Sequence, residues 1–427
     1  MENLKIIWSS SVKFLKGYNK TLVANVDNAK SLFVSNECFE IIEEASKKGL
    51  TLEQVLKNIE DLESKNYFKQ LIHKLHELEM WKCNEKSVQG KDISISLDIT
   101  NKCNLKCKHC CVDAGDNKRG MDIPTSDLKK IIDYVAEIDP QLIIISGGEP
   151  LARSDFEEIT RYIRSKYSGL LFLMTNATLV NDTMAKFIAQ YYDHVDVSID
   201  GVNEETCSLI RGKGVFEKTL DGIKKMKAEA CKITASMVVT NDNEEFKPQF
   251  ADLCKNILHI KYMYRIFEPV GRGLRNKEIF EPKKNEDDIK MNWQYCKKKF
   301  LENKMHMQMP QVFACQGAKR EFQIDHTGNL YPCAALMDEE FQMGNVLNVT
   351  SLKEYLLKGE YKKTKGYKKF QTYMPYNIEG CCECNKQLLC FSCVNEVKRN
   401  IKTGIFRKNC KENNKFYDMY WRYYGID

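Results

Sequence analysis

The 427-residue chain is predicted to be an α/β protein: a partial (β/α)6 TIM-like barrel, preceded by a winged-helix-like domain and followed by a cysteine-rich C-terminal domain. Three observations predict this. From 92 to 275, strand-like runs alternate with helical patterns, as in βαβ units on a parallel sheet. Residues 1–85 carry two short strand-like runs and three helical patterns instead. The 18 cysteines are uneven, with four between Cys103 and Cys111 and six between Cys381 and Cys410.

In the first domain, LVANV and SLFV read as paired strands, and helices are expected at Asn36–Lys48, Thr51–Ile59 and Tyr67–Leu78. A winged helix suggests DNA binding. Over Met1–Asn84, however, 12 Lys and no Arg face 12 Asp or Glu, so the basic excess that phosphate binding needs is missing, and no nucleic acid is expected. The strand runs of the barrel are ISISLDI, LIIIS, LLFLM, VDVSID, TASMVV and YMYRIF. Helices fall at Ser126–Glu137, Asp155–Lys166, Asn181–Tyr191, Phe216–Ala230 and Glu244–Asn256. Six units are too few for a closed eight-fold barrel, and functional loops belong at the C-terminal ends of the strands. Residues 276–309 are highly charged and read as linker plus exposed helix, and 310–427 as a domain poor in long periodic elements.

A hydrophobic share of 43% and a charged share of 29% exclude wholesale disorder. The longest apolar runs are strand-sized, so no membrane span is expected. The start, MENLKIIWSSSVKF, lacks an apolar signal core, which argues for a cytoplasmic protein. In that reducing compartment clustered cysteines read as metal ligands or redox groups. Cys38, Cys83, Cys207, Cys231 and Cys254 lie outside the clusters and are expected to be buried as small hydrophobes.

Directly after the first strand, Cys103, Cys107 and Cys110 form C-x3-C-x2-C. Three thiolates on one loop suit an iron–sulfur cube with one iron left open. The spacing also suits a zinc site with Cys111 or His109 as fourth ligand.

The loop resembles that of the radical S-adenosylmethionine (SAM) enzymes, with the signature C-x3-C-x-φ-C and His109 at the commonly aromatic position φ. Further motifs follow in order. Gly147-Gly148-Glu149-Pro150 is similar to the family's GGEP, Thr175-Asn176-Ala177-Thr178 to TNGT, and Ser198-Ile199-Asp200-Gly201 to S-[IL]-D-G. Arg211-Gly212-x-Gly214-x-Phe216 is similar to RGxxGxF; Asn241 ends the fifth strand, and Gly271-Arg272-Gly273 follows the sixth. The resemblance implies a 4Fe-4S cluster on Cys103, Cys107 and Cys110, and SAM contacts from His109, Gly147, Gly148, Glu149, Asn176, Ser198, Asp200 and Arg211. It places Glu149 at the methionine amino group and Arg211 near the carboxylate.

The C-terminal cysteines resemble a SPASM domain, which carries two auxiliary 4Fe-4S clusters, three with the first. By that resemblance Cys381, Cys384, Cys390 and Cys410 hold one, and Cys315, Cys333 and Cys393 the other, whose fourth position is either an open iron or filled by Cys296. A double zinc ribbon suits the same spacing. The N-terminal domain is similar to the recognition elements of ribosomal-peptide maturases, which bind a leader peptide by strand addition. The resemblance as a whole implies a sactipeptide- or ranthipeptide-type maturase that forms Cys-sulfur-to-carbon thioethers through a 5′-deoxyadenosyl radical. It also implies a precursor peptide and an electron donor such as flavodoxin or ferredoxin as partners. Carbon–carbon crosslinking, sulfatase-maturase-type oxidation and a non-catalytic zinc-stabilised peptide binder are the alternatives.

Overall fold

The computed structural model describes residues 3, 5–84, 89–115, 120–240, 243–277, 312–384, 386–389, 393–402, 404, 406, 410 and 418. Asn241, Cys296, Cys390 and the linker from 278 to 309 lie outside the described residues. Two compact units emerge. One comprises Met1–Ser87, Lys284–Gln316 and Gln371–Asp427; the other comprises Val88–Lys283 and Gly317–Phe370.

The first unit opens with an antiparallel sheet of β1 (Val12–Lys16), β2 (Lys20–Asn25) and β3 (Ser31–Ser35), in the order β1-β2-β3. Local chemistry marks the helices that follow. Ser35 caps α1 (Asn36–Lys48) by accepting from Cys38 N, and Gly49 ends it in the left-handed region. Thr51 and Gln54 form a capping box on α2 (Leu52–Lys57), and Asp61 caps α3 (Leu62–Glu77). One sheet face, with Val23 and Val34, shares a core with Phe39, Ile42, Ile72 and Trp81. The other face presents Leu15, Leu22, Ala24 and Val26, which are also buried. The strand β1 lies outside the two runs read as strands, because its face is only intermittently buried and its sequence, VKFLK, alternates weakly.

The second unit is built on six parallel strands in chain order: β4 (Ser94–Asp98), β5 (Leu142–Ser146), β6 (Leu170–Thr175), β7 (His194–Ser198), β8 (Ile233–Val239) and β9 (Lys261–Ile266). Between them run α4 (Thr125–Ile138), α5 (Phe156–Lys166), α6 (Asp182–Tyr191), α7 (Glu204–Arg211), α8 (Val215–Ala228) and α9 (Lys247–Asp252). Register explains the two faces. Ile95, Ile143 and Leu171 are aligned across β4–β6 and fully buried, whereas their neighbours Ser96, Ile144 and Phe172 form a half-buried row on the opposite face. The helix expected at Glu244–Asn256 is broken into a 3-10 turn, α9 and a π-helical stretch, Leu253–Leu258.

The sheet continues beyond the six predicted strands. Across its β4 edge, β10 (Glu321–Ile324) pairs in parallel, and β11 (Leu330–Tyr331) pairs antiparallel with β10. Phe322 of β10 meets Tyr361 edge-on, with centroids 5.4 Å apart, and the Tyr361 hydroxyl donates to Ala318 O at 2.7 Å. Local periodicity does not announce this pairing, because it joins segments more than 220 residues apart. Among the described residues, no helix is long and apolar enough to cross a membrane.

Candidate active site

The three cysteines of the first cluster lie on the loop leaving β4. Each sulfur has its own neighbour: Cys103 Sγ accepts from Leu105 N at 3.4 Å, Cys110 Sγ from Ala114 N at 3.3 Å, and Arg211 Nη1 stands 3.9 Å from Cys107 Sγ. Burial pushes the Cys103 thiol up to about 12, and a negative charge on Cys107 or Cys110 pushes the same way. Burial also raises Cys107, against the pull of Arg211. The Cys103 and Cys107 thiols therefore favour their neutral form until a metal centre displaces the protons, which makes ligation pH-dependent. Among the described residues no three His, Cys, Asp or Glu side chains converge on a single-ion position. A 4Fe-4S cube takes one cysteine per iron, so three cysteines on one loop are the donor type and number that would leave one iron open.

Two backbone clamps hold this loop. From β5, Gly148 N donates to Thr100 O and Glu149 N to Lys102 O, both at 2.8 Å. Gly147 has φ +140°, and a Cβ there would lie 2.3 Å from Thr100 O, so only glycine lets the two loops meet. After β9, the short helix α10 (Gly271–Arg275) closes the ring of loops. Arg272 N donates to Cys110 O at 2.9 Å, Arg272 Nη1 to Cys107 O at 3.1 Å and Nη2 to Ala114 O at 2.6 Å. Arg275 grips Asp113 with two bonds of 2.7 and 2.6 Å. The Gly-Arg-Gly motif seen in the sequence is thus the strap of the cysteine loop.

Glu149 is buried and tied to the loop after β6. Its carboxylate accepts from Thr175 Oγ1 and Asn176 N, each at 2.7 Å, and from Leu151 N at 3.2 Å. Burial raises its pKa, and the bonds from Asn176, Thr175 and Leu151 pull it back. The Asn176 side chain donates to Asn104 Oδ1 at 3.0 Å and accepts from Thr178, and Asn104 in turn donates to Thr178 Oγ1 at 2.8 Å. Asn104, next to Cys103, was not singled out by sequence reasoning; only its place inside the motif could have drawn notice.

Asp200, wholly buried, is the hub of the opposite wall. Its carboxylate accepts from Val238 N at 2.7 Å and from His109 Nε2 at 2.5 Å, and forms an ion pair with Arg211 Nε at 2.6 Å. Burial alone would raise Asp200, but Arg211 and His109 beside it hold the carboxyl well below the usual carboxylate range. Burial would lower Arg211, yet Asp200 drives its pKa upward. The chain Cys107–Arg211–Asp200–His109 returns to the loop where it began, so the side chain of His109, and not only its backbone, fixes the loop. His109 Nε2 faces Asp200 and Cys111 is exposed. Ser198 ends β7 opposite Ser236 of β8.

The second group is placed differently. Cys381 is buried and shares a turn with Cys384, whose N–H donates to Cys381 O at 3.0 Å, while Cys382 is exposed. Cys393 precedes the helix Val394–Lys402; Cys315, Cys393 and Cys410 are half-buried in the first unit, and Cys333 is half-buried in the second, just after β11. Of the isolated cysteines, Cys207 and Cys254 are buried and Cys38 and Cys231 half-buried. Cys83, expected to be buried, is exposed on the 3-10 turn Lys82–Asn84, where no core lies over it.

A cysteine loop clamped at the C-terminal end of a six-stranded parallel sheet, and a second cysteine group downstream, define a radical SAM enzyme with an iron–sulfur-binding C-terminal domain. Residues 97–253 match the Radical SAM superfamily, and 315–385 match the SPASM iron–sulfur cluster-binding domain. The mycofactocin maturase MftC of Mycolicibacterium smegmatis is 27% identical over 277 residues, 62% of this chain and 70% of that protein. An AdoMet-dependent heme synthase of Oleidesulfovibrio alaskensis is 27% identical over 333 residues, 70% of this chain and 81% of that protein. In fold, the chain is similar to Streptococcus suis SuiB bound to its precursor peptide SuiA, with a TM-score of 0.55, 16% identity, and coverage of 92% of this chain and 96% of that one.

Proposed function

We propose that this protein modifies a ribosomally made precursor peptide, forming Cys-sulfur-to-carbon thioether crosslinks. Cys103, Cys107 and Cys110 would hold a 4Fe-4S cluster that, with SAM, would supply the radical chemistry needed to activate an unreactive C–H bond. The chain's own contribution is to hold and exclude. Arg272, Gly147 and the Asp200 hub fix the ligand loop, so the reactive centre is positioned before substrate arrives. Gly147, Gly148, Glu149, Asn176, Ser198, Asp200 and Arg211, with His109, line the strand ends as SAM contacts in this reading. Cys381, Cys384, Cys390 and Cys410, and Cys315, Cys333 and Cys393, are the ligands of two auxiliary clusters. The N-terminal sheet receives the leader peptide, a flavodoxin or ferredoxin supplies electrons, and the setting is cytoplasmic.

The observation that carries this reading is the combination, in one chain, of the clamped cysteine loop with a separate three-stranded sheet and a second cysteine group. The test is anaerobic turnover, with SAM and a chemical reductant, of the short peptides encoded beside this gene. Thioether formation removes two hydrogens per crosslink: the C–H hydrogen would leave with the 5′-deoxyadenosyl radical, the S–H proton would go to solvent, and the remaining electron would pass to an auxiliary cluster as the C–S bond forms. A peptide lighter by two hydrogens, with its cysteine no longer alkylated by iodoacetamide, is the expected product. A lighter peptide whose cysteines all remain alkylatable would instead mean carbon–carbon crosslinking. The heme synthase relative supports a second reading, a tetrapyrrole substrate. An iron porphyrin consumed under the same conditions, with every peptide left unchanged, would favour it.

A further inference from the structure

The sheet β1–β3 is apolar on both faces, and the cover on its second face is chain that borders the C-terminal cysteines. Leu15 lies opposite Leu22 in the ladder, and Ala24 and Val26 continue that side. All four are buried with Val312, Leu388 and Leu389. Val312 is three residues before Cys315, and Leu388 and Leu389 fall between Cys384 and Cys390. Hydrogen bonds sew the same seam. Phe313 N donates to Leu388 O at 2.7 Å, and Gln316, adjacent to Cys315, donates through Nε2 to Asp27 O at 2.8 Å, in the turn between β2 and β3.

An antiparallel sheet that stood alone would turn polar residues outward on its free face. This one turns out leucine, alanine and valine, so the apolar face is built for a permanent cover. The cover, for its part, has little regular structure of its own: residues 375–384 and 386–389 form turns and one short 3-10 helix.

We propose that the N-terminal domain is also a structural support of both auxiliary cluster sites. It orders the segment before Cys315, a ligand of one, and the segment after Cys384, a ligand of the other, and loading of those sites and rigidity of the sheet reinforce each other. This rests on reading those cysteines as metal-cluster ligands. The coupling is reciprocal, which gives two independent readouts in the full-length protein.

In one direction, Leu22→Asp places a charge in the seam, and Gln316→Ala removes a single bond without burying charge. Both variants are expected to surrender iron from the auxiliary sites to a ferrous chelator several-fold faster than wild type, with the Cys103–Cys107–Cys110 cluster signal retained. In the other direction, Cys384→Ser is expected to speed amide exchange at Leu22 to Ala24 and leave Phe39 and Ile42 of α1 protected. Wild-type iron retention in Gln316→Ala, or unchanged exchange in Cys384→Ser, overturns the coupling. Wild-type protein that takes up no auxiliary iron at all overturns the cluster reading instead, so the two failures are distinguishable.

Discussion

The two cysteine groups, which we propose hold metal centres, are built by opposite means. The group at Cys103–Cys110 hangs from the end of a parallel sheet and is strapped by Arg272, Gly147 and the Asp200–His109 pair, so its shape is set by the fold. In the second group, Cys381 and Cys384 share a turn, and the buried Leu388 and Leu389 follow them in the chain. On the proposed reading, the reaction centre is pre-organised by long-range clamps, whereas the auxiliary ligands would rely on the metal to complete their local structure.

The sharpest way to break this comparison is to disable one group alone. Cys384→Ala is expected to abolish modified peptide while the protein still converts SAM to 5′-deoxyadenosine, read by liquid chromatography. Simultaneous loss of both products would show the groups to be interdependent.

A smaller effect follows from the strap. Arg272→Ala deletes charge-assisted bonds to Cys107 O and Ala114 O, which should cost about 2–4 kcal/mol in denaturant-induced unfolding. SAM cleavage should fall with it. Unaltered stability would remove the strap from the account.

His109→Phe restores the commonly aromatic side chain but leaves Asp200 with one partner fewer. A loss of about 1–3 kcal/mol is expected, measured by thermal unfolding against wild type. A phenylalanine variant as stable as wild type would mean that the Asp200 bond contributes nothing net.

The smallest change is Cys382→Ser. That thiol is exposed beside two ligand candidates, so iron content and stability should stay within about 0.5 kcal/mol of wild type. Lost iron would make Cys382 a ligand and reassign the group.

Much of the sheet unit was legible because strands and helices alternate with strong local periods: α4, α5 and α6 lie within a residue or so of their expected bounds. The places of Cys103, Gly147, Asn176 and Ser198 were legible too, since they stand at or just after the ends of β4, β5, β6 and β7. What escaped notice is long-range. β10 joins β4 across more than 220 residues, and no local pattern encodes the pairing. The bond from His109 to Asp200 spans 91 residues, and the only hint of it was a polar ring where an aromatic one is usual, with a buried acid elsewhere to receive it. The apolar outer face of β1–β3 was visible as LVANV, but its cover, at 312 and 388–389, was not. Helix α7 went unseen because its last residue, Arg211, was read as part of a loop motif.

The central claim is that the loop on β4 alone carries SAM cleavage. Its most direct test is the triple variant Cys103→Ala, Cys107→Ala and Cys110→Ala, reconstituted without oxygen and assayed for iron and 5′-deoxyadenosine. The account predicts one cluster fewer, auxiliary iron retained and no 5′-deoxyadenosine. Continued 5′-deoxyadenosine production by the triple variant would contradict it.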